Sequence, residues 1–178
     1  MKEIRYLGDV IGAGGGAGEV SVARVRSAWA KFRELAPILT ARGASLKVKG
    51  KVYRTCVQTV MLYGGETWPV KVEDLHRLER TERMMVRWMC GVTLKDRVDS
   101  VELRSRLGIW SVGELLRRNR LRWFGHLERK DSEEWVSACR RVEVVGARGR
   151  GRVEKTWDEC VRNDLDLLGL RGSGHKIE

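Results

Sequence analysis

The stretch "DVIGAGGGAGEVS" at 9–21 places five glycines within seven positions, Gly12 to Gly18, directly after an apolar run. Gly12, Gly14 and Ala17 fit a G-x-G-x-x-A pattern. A strand, a glycine-rich turn and a helix N-terminus would offer backbone N–H groups and a positive dipole end to a phosphate. The surrounding residues argue against that use. A P-loop ends in Gly-Lys-Ser/Thr, whereas this loop ends Gly18-Glu19-Val20, and the Glu19 carboxylate would repel phosphate. A dinucleotide site needs a second strand with an acidic residue about 20 residues on, and the chain after Val20 reads as a long helix. A connecting loop is the preferred reading, with glycine supplying permissive backbone.

Other chemistry-bearing residues are scattered. The chain contains no H-E-x-x-H, no G-x-S-x-G, no Asp-Asp pair and no Walker loop. His76 lies among charges and reads as solvated; His126, in "RWFGHLERK", reads as a structural hydrogen-bonding histidine. Asp164 and Asp166 read as exposed residues of the last helix rather than a metal site. Cys56, Cys90, Cys139 and Cys160 form no C-x-x-C knuckle. Reduced, buried thiols are preferred over a zinc site built from Cys90, His126, Cys139 and Cys160. The expectation is a chain with no catalytic residue, no metal and no cofactor.

The cations carry more information. Thirty-five basic residues against 24 acidic ones give a net charge of +11, with arginine well ahead of lysine. Such a chain suits a polyanionic partner, and arginine adds bidentate phosphate contacts and a stacking plane for bases. The basic residues cluster in three places: Arg42, Lys47, Lys49, Lys51 and Arg54; Arg117, Arg118, Arg120 and Arg122; and Arg148, Arg150 and Arg152 in "GARGRGR". Trp123 follows Arg122 directly, an interleaving that fits stacking on unpaired bases. Core packing is the preferred reading for most of Trp29, Trp88, Trp110, Trp123, Trp135 and Trp157.

The elements that must position these residues are mainly helical. "IRYLGDVI" at 4–11 predicts one short strand. Val22, Val25, Trp29, Phe32 and Leu35 recur at helical spacing over 19–39. Ser45 caps a second helix with Val52, Cys56, Val60 and Tyr53 inward, ending at Gly64-Gly65. A third helix runs over 71–90 with Val72, Leu75, Leu78, Met85, Val86 and Met89 as its stripe, charges opposite, and Gly91 as cap. Asp99 or Ser100 starts a short helix ending at Gly108, and Ser111 with Glu114 makes a capping box for a helix to about 128. A short helix surrounds Trp135, and a last one spans 154–168 with Trp157, Val161, Leu165 and Leu168. The chain shows no apolar run near the roughly 20 residues of a membrane span. Met1–Val10 carries Glu3 and Arg5 where a signal peptide needs an apolar core. An intracellular protein, nuclear or cytoplasmic, is expected.

Four stretches in order, "YLGDVI" (6–11), "VMLYGGETW" (60–68), "RWFGHLERKD" (122–131) and "GRGRVEKTWDECVRNDL" (149–165), resemble the C-terminal part of non-LTR retrotransposon reverse transcriptases. The family order is a Tyr-Leu-Gly strand, a variable loop, "LYG-x-E-T-W", "R-W-x-G-H", then "G-R-P-x-x-x-W-x-D"; Val153 stands here where the family has proline. The resemblance covers Tyr6 to Leu165. It implies a last palm strand and glycine loop (1–18), a bundle-like helical thumb (19–91), a smaller helical extension (92–145), a Gly/Arg linker (146–153), a terminal helix (154–170) and a tail (171–178). It implies that Tyr6, Leu7 and Gly8 lie near a primer end. Tyr63, Gly64, Glu66, Trp68, Trp123, Gly125, His126 and Trp157 would be the structural residues of its motifs. No residue matches the family's catalytic aspartates, which lie in the palm. The implied function is sequence-independent binding of RNA, an RNA–DNA hybrid or DNA, with other parts of a retroelement protein as further partners. The alternative is a degenerate or domesticated helical protein-interaction module whose basic surface is incidental.

Overall fold

The computed structural model describes residues 3–6, 9–12, 17–131 and 155–170, with Glu134, Trp135, Ala138 and Cys139 between them. Strands β1 (Glu3–Tyr6) and β2 (Asp9–Gly12) pair antiparallel, Glu3 opposite Gly12 and Tyr6 opposite Asp9. The single strand expected over 4–11 is therefore two. Gly8-Asp9 is turn-type composition inside the run, which a reading from β-branched content passes over. Everything else described is helix and connection, so the fold is mainly α.

Helix α1 (Ala17–Glu34) leads through Leu35 into the short α2 (Ala36–Leu39), which Pro37 opens. Ser45 caps α3 (Leu46–Val52) by accepting from the Val48 N–H. The helix continues as a π-helical stretch, Tyr53–Gln58, and finishes as α4 (Thr59–Met61). Gly64 takes a left-handed φ of 73°, and a single 3₁₀ turn, Gly65–Thr67, follows. Helix α5 (Val72–Cys90) ends at Gly91, whose φ of 65° closes the C-terminus. Helix α6 (Ser100–Leu107) ends the same way at Gly108. Helix α7 (Val112–Glu128) opens on the expected box: Ser111 Oγ accepts from the Glu114 N–H while Glu114 Oε2 accepts from the Ser111 N–H. Helix α8 (Trp157–Leu167) begins with a second box, Thr156 with Glu159.

One apolar core runs through α1 to α7. Phe32, Tyr53, Val57, Met61, Leu78, Met85, Met89, Leu103, Leu107 and Leu116 are fully enclosed. The inward face of the second helix is Tyr53, Val57 and Met61, while Val52, Cys56 and Val60 sit half-buried at its edge. The charged side expected for α5 is not wholly outside, because Asp74 and Glu82 are buried. Val72, expected in its stripe, is exposed, as is Leu168 of the last helix. Three tryptophans also lie outside the core: Trp88, Trp110 and Trp135 are exposed. Trp88 nevertheless stacks on Phe32 with centroids 5.7 Å apart. Among the described residues no helix is long and apolar enough to cross a membrane.

Helices α3 and α6 approach through Gly50, where an added Cβ would lie 1.8 Å from the Leu107 carbonyl oxygen. Backbone cannot yield that distance without moving a helix. Gly43, in the turn before Ser45, has nothing within 4 Å. Gly50→Ala is expected to destabilise by about 2–3 kcal/mol in chemical denaturation, whereas Gly43→Ala stays within about 0.5 kcal/mol of the parent.

Candidate nucleic-acid interface

The first basic cluster divides by helical phase. Lys47, Lys51 and Arg54 follow i, i+4, i+7, so they share one face over roughly 10 Å of helix. All three are exposed, as is Arg42 just before them, and none forms an ion pair with a described residue. Lys49 lies half a turn away and is buried at 5% exposure. Its Nζ donates to the Met89 carbonyl at 3.0 Å. Met89 is in the last turn of α5, where carbonyls lack helical partners and a cation is favoured. Lys49 is thus a structural cap, and the expected five-residue patch has four outward members.

The second cluster divides too. Arg118 and Arg122 are exposed, and the Arg118 guanidinium lies 6.0 Å from the Trp110 ring centre. Arg120 points the other way, buried, with Nη1 2.9 Å from Asp164 Oδ2. Arg117 reaches the other oxygen of Asp164 at 3.5 Å. Asp164 is accordingly buried between α7 and α8 and not on an exposed side as expected. Two of the four arginines hold the last helix instead of facing a partner. Arg148, Arg150 and Arg152 lie outside the described residues, as do Leu7, Gly8 and the loop positions 13–16. Tyr6 ends β1.

Some of the motif residues meet where α7, α8 and the 3₁₀ turn come together. Trp157 Nε1 donates to the Glu66 carbonyl at 2.7 Å. Trp157 also lies against Phe124, with centroids 6.4 Å apart. Trp68 is buried, and a Cβ at Gly65 would come within 2.7 Å of Leu116 Cδ2. Gly125 sits in the last turn of α7, near the Arg129 side chain. The hydrogen bond expected of His126 is not formed among the described residues. The ring is exposed and stacks on Trp123 at 5.2 Å. Tyr63 is 57% exposed, and the Arg24 guanidinium sits 4.6 Å from its ring centre. Among the described residues no cluster of three metal-ligating side chains occurs. Cys160 is buried, Cys56 and Cys90 are half-buried and Cys139 is exposed; all four are free thiols.

A buried polar hub, which no motif in the sequence marks, lies beneath this surface. Glu82 on α5 accepts from Gln58 Nε2 and from the Val112 N–H at the start of α7, each at 3.3 Å. Arg104 of α6 approaches it at 3.8 Å. Gln58 Nε2 also donates to the Trp110 carbonyl at 3.1 Å. Burial raises the Glu82 pKa to about 7, opposed by the Val112 hydrogen bond and Arg104 and assisted by nearby Glu79. Burial, then Glu82 itself, pushes the enclosed Tyr53 hydroxyl well above its ordinary value. Spacing alone could have flagged Glu82, since Leu78, Glu82, Met85, Val86 and Met89 share one helical face.

No protein-family model, curated protein or solved structure matches the chain.

The folded chain binds the Glu82 proton more tightly than the unfolded chain. This contribution to stability is therefore complete below about pH 4.5 and declines as pH rises to about 7. The carboxylates of Asp96 and Glu114, held low by their Thr93 and Ser111 hydrogen bonds, act oppositely and at lower pH. Urea denaturation between pH 4.5 and 7.5 is expected to show a loss on the order of 3 kcal/mol, and Glu82→Gln is expected to flatten it. A Glu82→Gln profile as steep as the parent's would show that another group carries the pH dependence.

Proposed function

We propose that the chain is a thumb-like and C-terminal portion of a reverse transcriptase of the non-LTR retrotransposon kind, which binds RNA or an RNA–DNA hybrid through phosphate contacts and performs no catalysis itself. The observation that carries this reading is the outward row of Arg42, Lys47, Lys51 and Arg54, four cations with no ion pair among the described residues. Cations kept free along and just before a helix suit an array of phosphates, because each contact releases a counterion without reading sequence. Arg118 and Arg122 add charge on α7. The ordered motif stretches support the family reading, since Glu66, Phe124 and Trp157 meet in one packed junction. No residue matches the family's catalytic aspartates.

A protein-interaction module is the second reading. It rests on Met84 and Trp88, exposed one turn apart on α5. Salt separates the two: phosphate binding weakens steeply as salt rises, and apolar contact does not.

Fluorescence anisotropy of a labelled RNA–DNA hybrid over a salt series tests the first reading. Replacing Arg42, Lys47, Lys51 and Arg54 together with glutamine is expected to weaken binding and to make the log–log salt slope shallower by about 3. Lys49→Met is expected to lower the melting temperature and leave the slope unchanged. An unchanged affinity and slope in the fourfold variant would remove the row from the interface.

A further inference from the structure

An open groove of about 500 Å³ lies between the helix carrying Arg54 and Gln58 and the outer face of α7. Its size is that of a small-ligand site. Arg54, the last cation of the exposed row, forms part of its wall, so the row leads into it. On α7, Leu115 and Asn119 line the groove, and Arg118 and Arg122 share their helical face.

The lining combines an aromatic surface with an unused side-chain amide. Tyr63 is more than half exposed, yet the Arg24 guanidinium over its ring fixes the ring's position. Leu62 and Leu115 supply apolar surface beside it. Gln58 is almost completely buried, and both partners of its NH₂ group, Glu82 and the Trp110 carbonyl, are acceptors. That fixes the amide's orientation, and its Oε1 accepts from no described residue. The Oε1 atom is enclosed, so Gln58 contributes to the groove as part of its floor and not as an acceptor open to a ligand. The Asn119 side chain has no hydrogen bond within the described residues. A flat aromatic group bearing N–H donors and ring acceptors would use the tyrosine and the Asn119 amide together. A phosphate attached to it would meet Arg54.

We propose that this groove takes one unpaired nucleobase of a strand whose phosphates follow the Arg42–Arg54 row. Base stacking on the Tyr63 side of the groove would add binding energy that a fully paired end cannot provide. The inference rests on the phosphate-binding reading and goes beyond it, because it assigns a separate site to the unpaired nucleotide.

Anisotropy of the full chain with two labelled RNA–DNA hybrids tests it: one blunt, one ending in a short single-stranded RNA overhang. The overhang is expected to tighten binding about tenfold or more. Tyr63→Ala and Asn119→Ala are each expected to reduce that gain while leaving the blunt hybrid unchanged, and Tyr63→Phe is expected to keep it. Equal binding of both hybrids, with Tyr63→Ala without effect, would overturn the groove site and leave the phosphate reading standing. A Tyr63→Ala loss that is the same for both hybrids would mark Tyr63 as structural and would also overturn it. No binding of either hybrid at low salt would overturn both readings.

Discussion

The Glu82 carboxyl group is enclosed at the point where α5, the π-helical stretch and the first turn of α7 meet. An ionised carboxylate there is expensive to desolvate unless it is hydrogen-bonded, paired or neutralised by a proton. The chain uses all three devices: two hydrogen bonds, an arginine at its edge and a proton affinity raised toward neutrality. The Val112 N–H is one of the donors that the start of α7 cannot satisfy internally. One acid therefore anchors the start of a helix and orients Gln58, which in turn grips the loop at Trp110. The outer face of α7, with Arg118 and Arg122, is held relative to the Lys47–Arg54 face by this bonding and by the apolar core around it.

Two further contacts complete the frame. Gly50 lets α3 lie directly on the end of α6. The Arg120–Asp164 pair, with Arg117, ties α8 to α7 across a span of more than 40 residues. Trp157 ties the same helix to the Glu66 carbonyl. Each contact uses a charged or aromatic residue that would also suit an interface. Burial is what separates those used for packing from those left for a partner.

That separation sets how far the sequence could be read. Helix limits were legible because their signals are local: Ser45, the Ser111–Glu114 box, Gly91 and Gly108 act within one turn of their own positions. The difference between Lys49 and its neighbours Lys47 and Lys51 was also within reach, since helical phase alone sets it opposite them. Partners distant in the chain were not legible. Nothing near Asp164 announces Arg120, and nothing near Glu82 announces Gln58 or Val112. Reading Asp164 as exposed and Arg120 as a nucleic-acid contact follows when each charge is judged only among its sequence neighbours. Trp110 and Trp88 depart from the core packing preferred for most of the tryptophans for a related reason. Their helical or near-helical spacing among leucines and valines suits a core, but the loop at Trp110 and the edge of α5 leave them facing solvent.

On the proposed reading, the unpaired cations outside this frame meet nucleic acid at its phosphates. The most direct measurement is the affinity of the unmodified chain for a labelled RNA–DNA hybrid, single-stranded RNA and duplex DNA as salt is raised. Phosphate binding of this kind gives affinity that falls steeply and linearly on a log–log plot, with the hybrid or RNA bound more tightly than duplex DNA. Binding that is absent at low salt, or that persists unchanged as salt rises, would contradict it.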